Sequence, residues 1–251
     1  MFKKTMFSVL IIAILVMTIF VLTGCEKNQE ENNAVVNSNT LENNTVETDV
    51  TNTTSENKEK LSNEEMYGDL IKNYEKALAE FDLDNLESEE EIKSKYGIED
   101  LTLIMHIARY AENGVKLTKE FYDVDKNGIN ELILGAENAV GVIYSYDTET
   151  NKPVFIFAQD TLERGSASIY DNGIIYSGGS GGAALHIYEF GKISEEGTSY
   201  KLLEKVEEEY LEDSEVPEYR NSATGRKLDY KSLDEVTDKY ILNAKVVEVF
   251  E

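Results

Sequence analysis

Apolar residues fall at helical spacing in three segments after Leu61, and at strand spacing after Lys116. In "SNEEMYGDLIKNYEKALAEF", Tyr67, Leu70, Ile71, Tyr74, Leu78 and Phe81 share one helical face. Ser62 or Asn63 stands at the N-cap, with Glu65 near the third helical position to close a capping box. "SEEEIKSKYG" predicts a short second helix ending at Gly97. "EDLTLIMHIARYAENG" predicts a third, closed by Gly114; it is apolar on almost every side, which predicts a buried helix.

The pattern then changes. "KEFYDVD" and "ELILG" read as strands flanking a polar loop, and "AVGVIYSYDTETNKPVFIFAQD" as two strands around a turn. "SASIYDNGIIYSG" places Asn172 and Gly173 between β-formers, a hairpin signal. "AALHIYEFG" and "TSYKLLEKVEEEYLE" continue the meander, and "YRNSATGRKLDY" reads as one more hairpin. "SLDEVTDKYI", capped by Ser232, predicts a short helix, and "AKVVEVF" a last strand. The fold class expected is α+β: N-terminal helices, then a mainly antiparallel β-meander sheet, then a short C-terminal helix.

The residues before the first helix do not belong to that pattern. Glu26 to Ser62 are rich in Asn, Glu and Thr and lack aromatic residues, so they cannot bury enough surface to offset ordering entropy. A disordered tether over residues 25–62 is expected. Further upstream, "MFKK" is a short basic region and "TMFSVLIIAILVMTIFVLTG" is uncharged and nearly all apolar, a secretory signal pattern over residues 1–24. It meets "LTGC", and Cys25 is the chain's one cysteine. That run resembles the lipobox of bacterial lipoproteins, which implies cleavage before Cys25 and diacylation of its thiol. Two acyl chains give stable anchoring where one is marginal. Residues 63–251 would then form a single extracytoplasmic domain.

Charge narrows the partners. The chain of 251 residues has a formal net charge of −25. A surface this acidic repels nucleic acid and favours cations. With one cysteine there is no internal disulfide.

The chemistry concentrates in "DVDKNGINELILG". A hard cation such as calcium takes about six to eight oxygens, and a compact loop supplies them from alternate positions. Asp123, Asp125 and Asn127 offer side-chain oxygens, Ile129 a carbonyl, and Gly128 permits the sharp turn. The twelfth position is Leu134, where a helix–loop–helix calcium site needs an acid, and no helix pattern follows. Glu131, at the ninth position, supplies the alternative: a strand–loop–strand calcium site. Magnesium fits less well because it tends to keep its waters. Without a cation the same residues describe an acidic β-turn.

"FYDVDKNGINELILG", "VIYSYDTETNKPVFIF" and "SIYDNGIIYSGGSGGAALHIYEF", together with the lipobox, resemble a group of uncharacterised lipoproteins of low-GC Gram-positive bacteria. They share a "DxDxNGxxEL" loop, a following sheet and a Gly/Ser-rich element before a "YxF" strand. The resemblance covers about Glu120 to Glu209. It implies a surface lipoprotein with a calcium loop, and no particular activity. Lys126 stands where many relatives have glycine, and its charge offsets part of the loop's.

Other features point elsewhere. "GGSGG" matches a nucleophile elbow around Ser180, but a strand pattern follows where a helix is required, so a Gly-rich hairpin is expected. His106 and His186 have no metal-ligand spacing; His106 reads as a hydrogen-bonded core histidine. Tyr144, Tyr146, Tyr170, Tyr176 and Tyr188 read as half-buried sheet residues, though an exposed row of them would stack on a glycan or a protein. No catalytic residue stands out. The expectation is a binding or structural module, anchored to the cell membrane through Cys25, with calcium as a structural ion and a surface protein or glycan as the candidate ligand. The alternative is an extracytoplasmic hydrolase with an acidic catalytic pair.

Overall fold

The computed structural model describes residues 61–250, apart from 86, 87, 161, 163, 212, 213 and 215. The signal, lipidation and tether assignments, Cys25 included, lie outside the described residues. From Leu61 on, the chain belongs to one compact unit.

Local sequence explains the helix ends. In α1 (Asn63–Glu80) the Ser62 hydroxyl accepts from the Glu65 amide, and the Glu65 carboxylate takes the Ser62 amide at 2.8 Å. Ser88 and Glu91 repeat that capping box at α2 (Glu89–Tyr96), which stops at Gly97 in the left-handed region, φ +65°. α3 (Thr102–Tyr110) lacks a side-chain N-cap and runs into a 3-10 turn, Ala111–Asn113. It buries Leu103, Ile104 and Ile107 but leaves Met105 and His106 half-exposed and Arg109 exposed. The all-round burial expected of this helix is therefore corrected: one face packs, the other borders a cavity.

Ten strands follow. β1 (Leu117–Tyr122), β2 (Glu131–Ala136), β3 (Ala139–Asp147) and β4 (Lys152–Ala158) form one antiparallel sheet in chain order. β5 (Gly165–Ile169), β6 (Ile175–Ser180), β7 (Leu185–Ile193), β8 (Tyr200–Glu209), β9 (Glu218–Asn221) and β10 (Lys227–Leu228) form a second, also antiparallel between neighbours. α4 (Leu233–Ile241) closes the set, with the Glu235 amide on the Ser232 hydroxyl. The fold is mixed α+β with two sheets, so the single sheet expected from sequence is corrected.

Three clusters of apolar side chains explain why there are two. Leu132, Leu134, Val142 and Tyr144 point to one side of the first sheet and pack with Tyr67, Ile71, Tyr74, Ile104 and Ile107 of the helices. Ile133, Ile143 and Phe157 point to the other side and meet Ala167, Ile169, Ile175 and Ile193 of the second sheet. The second sheet's far face, with Phe190, Val206 and Tyr219, packs on Val236 of α4. The layers are thus helices, sheet, sheet, helix. A sheet apolar on both faces needs cover on both, and the second sheet supplies one cover.

The last expected strand, Ala244 to Phe250, is also corrected. It makes a single bridge, Val246 to Tyr170, with Val247 N donating to Ile169 O and Asp171 N to Lys245 O. It runs along β5, which is an edge of its sheet, and tucks Val249 between the sheets.

Candidate metal centre

Tyr122 pairs with Glu131 at the ends of β1 and β2, so the loop Asp123–Asn130 is strand–loop–strand. Gly128 (φ +90°) and Lys126 (φ +64°) both adopt the left-handed conformation that bends the loop back on itself. For lysine this costs free energy that glycine avoids. Lys126 places its ammonium on the Tyr122 hydroxyl at 2.7 Å and over its ring.

This curvature brings Asp123, Asp125 and Glu131 together. One carboxylate oxygen of each lies within 4.8 Å of the others. Glu131 is fully buried; its two oxygens accept from Val124 N at 2.7 Å and from the Ser145 hydroxyl at 3.2 Å. Asp123 takes the Gly128 amide on Oδ2, while its Oδ1 is buried without a partner. Asp125 accepts from the amide and the carboxamide of Asn127.

Asn127 is used inside the loop. Its Oδ1 accepts from Ile129 N at 2.7 Å, which leaves it one lone pair. Ile129 contributes that amide and packs its side chain on the helical core. Three of the five loop residues expected as ligands therefore converge through carboxylates, and the other two are placed by backbone bonds.

Electrostatics follow from burial. Glu131 is pushed up to about 8 from an ordinary 4.5, by burial first and by the charges of Asp125 and Asp123, against the lowering effect of its two donors. Asp125 is raised too, by burial and then by Asp123. Three converging acids, two of them raised, with an orphaned oxygen among them, fit a hard cation. The donor set is all oxygen, which suits calcium, magnesium or manganese over softer metals.

Ser145 and Gly197 carry no motif. Ser145 is set by register on β3. Gly197 (φ +72°) lies in the β7–β8 turn, where a Cβ would come within 3.2 Å of the Asn127 carboxamide and 3.6 Å of Asp125 Oδ2. Gly173, in the β5–β6 turn, presses similarly on the Val124 carbonyl. Turns of the second sheet thus flank the loop, whose tip from Lys126 to Gly128 stays exposed, and only long-range topology brings them there.

The other candidates separate. Ser180 ends β6 and its hydroxyl donates to Gly182 O at 2.8 Å, in a hairpin with no helix after it. His186 Nδ1 lies 3.5 Å from Glu208 across β7 and β8. His106 is corrected: it is half-exposed and its buried Nδ1 has no hydrogen-bond partner. Tyr144 and Tyr146 are buried, and Tyr170, Tyr176 and Tyr188 are half-buried against the third cluster.

No family model and no curated protein matches the chain. Among solved structures, a Xanthomonas protein related to a type IV secretion system is similar over 45% of this chain, at 14% identity and a TM-score of 0.30. The likeness spans 57% of that chain, a little over half its length. At that score nothing about the present chain follows from it.

Proposed function

We propose that the protein is a lipid-anchored, extracytoplasmic surface lipoprotein whose folded part is a binding or structural module with a calcium-held loop. Its folded part runs helices first, then antiparallel meanders, then a short C-terminal helix. The observation that carries the metal reading is the convergence of Asp123, Asp125 and Glu131, with Asp123 Oδ1 buried and unpartnered. The ion supplies positive charge where three acids meet. Asp123, Asp125 and Glu131 would hold it by carboxylate, Asn127 by its remaining lone pair and Ile129 by its carbonyl. The residues themselves bend the loop and fix it between β1 and β2. The hydrolase alternative gains nothing from this pair of raised acids, because Glu131 has no exposed surface.

The test is calcium-dependent melting of the full chain in detergent. Extracellular calcium modules bind at about 10⁻⁴–10⁻³ M. At ten times such a constant, stabilisation is about 1.4 kcal/mol, a rise of about 2–6 °C. Calcium should exceed equal magnesium, and Asp125→Ala should remove the response. Equal shifts from both ions, or a wild-type response in Asp125→Ala, would leave an acidic β-turn. For the anchor, Cys25→Ser should yield uncleaved precursor that takes no fatty-acid label. Equal labelling of both chains would remove that part.

A further inference from the structure

The two halves of the carboxylate loop are held by different parts of the chain. Asp123 and Asp125 are placed from within the loop, by the amides of Gly128 and Asn127. The next three residues lean on α1. The Ile129 side chain packs on the helical cluster. The Asn130 carbonyl accepts from the Tyr67 hydroxyl at 2.8 Å, and the Asn130 carboxamide donates to Asn63 Oδ1 at 3.4 Å. Glu131 follows directly, with its carboxylate in the acidic group.

The direction of support can be read from burial. Tyr67 is fully buried, with its ring tilted on Phe121 and edge-on to Tyr146, both at 5.9 Å. A ring packed on two sides does not follow a loop; its hydroxyl holds the Asn130 carbonyl in place. That carbonyl belongs to the planar peptide unit joining Asn130 to Glu131, so holding it sets the course of the chain into Glu131. Asn63 lies one turn before Tyr67 on the same face of α1, so both contacts come from the start of one helix. The partners are 63 and 67 residues apart in sequence, and nothing within the loop replaces them. Burial raises the pKa of the Tyr67 hydroxyl, and the nearby Glu131 and Asp125 add to this, so the group keeps its proton and donates.

We propose that Tyr67 is a positioning residue of the cation site, and that calcium binding and the seating of α1 favour each other. The proposal rests on the metal reading above. Tyr67 does not hold the ion; it acts through Asn130, which lies between the Ile129 carbonyl and the Glu131 carboxylate. A cation selects its oxygens within a narrow range of distance, and a peptide fixed beforehand leaves less for the ion to order. By linkage, the factor that a seated helix adds to calcium affinity is the factor that calcium adds to the seating of the helix.

Tyr67→Phe keeps the ring and removes the hydroxyl. Calcium binding to the full chain in detergent is measured by isothermal titration calorimetry, with Tyr74→Phe as the control, since Tyr74 sits on the same helix and bonds Tyr144, not the loop. Tyr67→Phe should weaken the calcium Kd by about three- to tenfold, the size of one neutral hydrogen bond. Tyr74→Phe should bind as the wild type does. A purely structural role would lower the melting temperature of both variants in chelator and leave both Kd values alone. A second measurement needs no variant: amide hydrogen exchange of the wild type in calcium and in chelator. Calcium should slow exchange from Met66 to Tyr74 at least threefold more than in α4, which packs on the far face of the second sheet. If Tyr67→Phe does not fold, as judged by circular dichroism, this exchange comparison decides. No calcium binding by the wild type would overturn the metal reading and this proposal with it. Calcium binding with an unchanged Kd in Tyr67→Phe, an equal loss in Tyr74→Phe, or equal slowing in α1 and α4 would overturn this proposal alone.

Discussion

Each of the two sheets keeps carboxylates out of full contact with water, and they hold them in opposite ways. In the second sheet, Glu204 on β8 accepts from the Tyr230 and Tyr240 hydroxyls and from the Lys239 ammonium at 2.8 Å. Burial alone would raise it, but Lys239, Tyr240 and Tyr230 outweigh burial and hold it below the ordinary carboxylate value. Glu208, on the same strand, takes the Tyr188 and Tyr219 hydroxyls, each at 2.7 Å. In the first sheet, Glu131 has one amide and one hydroxyl, and its nearest charges are two further acids. The chain's own donors complete the second sheet's carboxylates. The first sheet's carboxylate is left asking for positive charge from outside.

Burial separates the sheets in the same way. β2 is buried at all six positions and β3 from Val140 to Tyr146, because the first sheet has helices on one face and the second sheet on the other. β8 has exposed or half-buried residues along most of its length, since α4 covers only part of its outer face. The largest expected effect tests this contrast. Ile133→Ala, between the sheets, should cost about 2–5 kcal/mol by leaving a cavity. Leu202→Ala, on β8 with 48% exposure, should change stability by less than about 0.5 kcal/mol. Denaturant midpoints of the two variants decide it. Similar losses would mean that the second sheet's outer face is covered in solution.

The contrast also explains what the sequence made legible. The three capped helices and most strands were readable because Ser62, Gly97, Ser232 and the alternating runs act locally. The division into two sheets was not, because a meander has the same local pattern whether its next strand joins the old sheet or starts another. The break falls after Ala158, where Gln159 bonds Gly141 and Ser177 and the chain crosses over. "ELILGA" does hint at it, since a run without polar alternation needs two covers. At the candidate metal centre, Asp123, Asp125 and Glu131 were legible because they lie within nine residues of one loop. Ser145 and Gly197 were not, because register and turn packing deliver them from elsewhere. His106 misled for a related reason: its apolar neighbours predict a core helix, but only one side of that helix is packed.

The next prediction uses Glu131 directly. Glu131 stands at about 8 in the folded chain against 4.5 ordinarily. Between those values the folded chain holds a proton that the unfolded chain has released. Stability without metal should therefore be highest below about pH 4.5, so far as this group sets it, and fall as pH rises towards about 8. Calcium favours the ionised carboxylate and should flatten that fall. Glu131→Gln keeps an acceptor for Val124 N and removes the charge. At pH 8 it should stabilise the metal-free chain by on the order of a few kcal/mol and abolish the calcium response. Unfolding curves across this range, in chelator and in calcium, check both. Superimposable profiles would take the ion out of the loop.

The smallest effect separates the sheets by their tyrosines. Tyr74 of α1 and Tyr144 of β3 share a buried hydroxyl contact at 2.9 Å, and the Tyr144 hydroxyl also accepts from Glu99 N. Tyr74→Phe therefore leaves Tyr144 with one partner, and a neutral hydrogen bond is worth about 0.5–1.5 kcal/mol. Tyr219→Phe removes a donor from Glu208 Oε1, and bonds to a charged group are worth about 1.5–3 kcal/mol. Tyr188 remains on the other oxygen and cannot serve both. The second-sheet variant should thus lose about 1 kcal/mol more than the first, with neither ring changing its packing. Equal losses would show that Glu208 finds water when its tyrosine is removed. The second sheet would then owe the placement of its acid to exposure, and the difference from Glu131 would be one of depth alone.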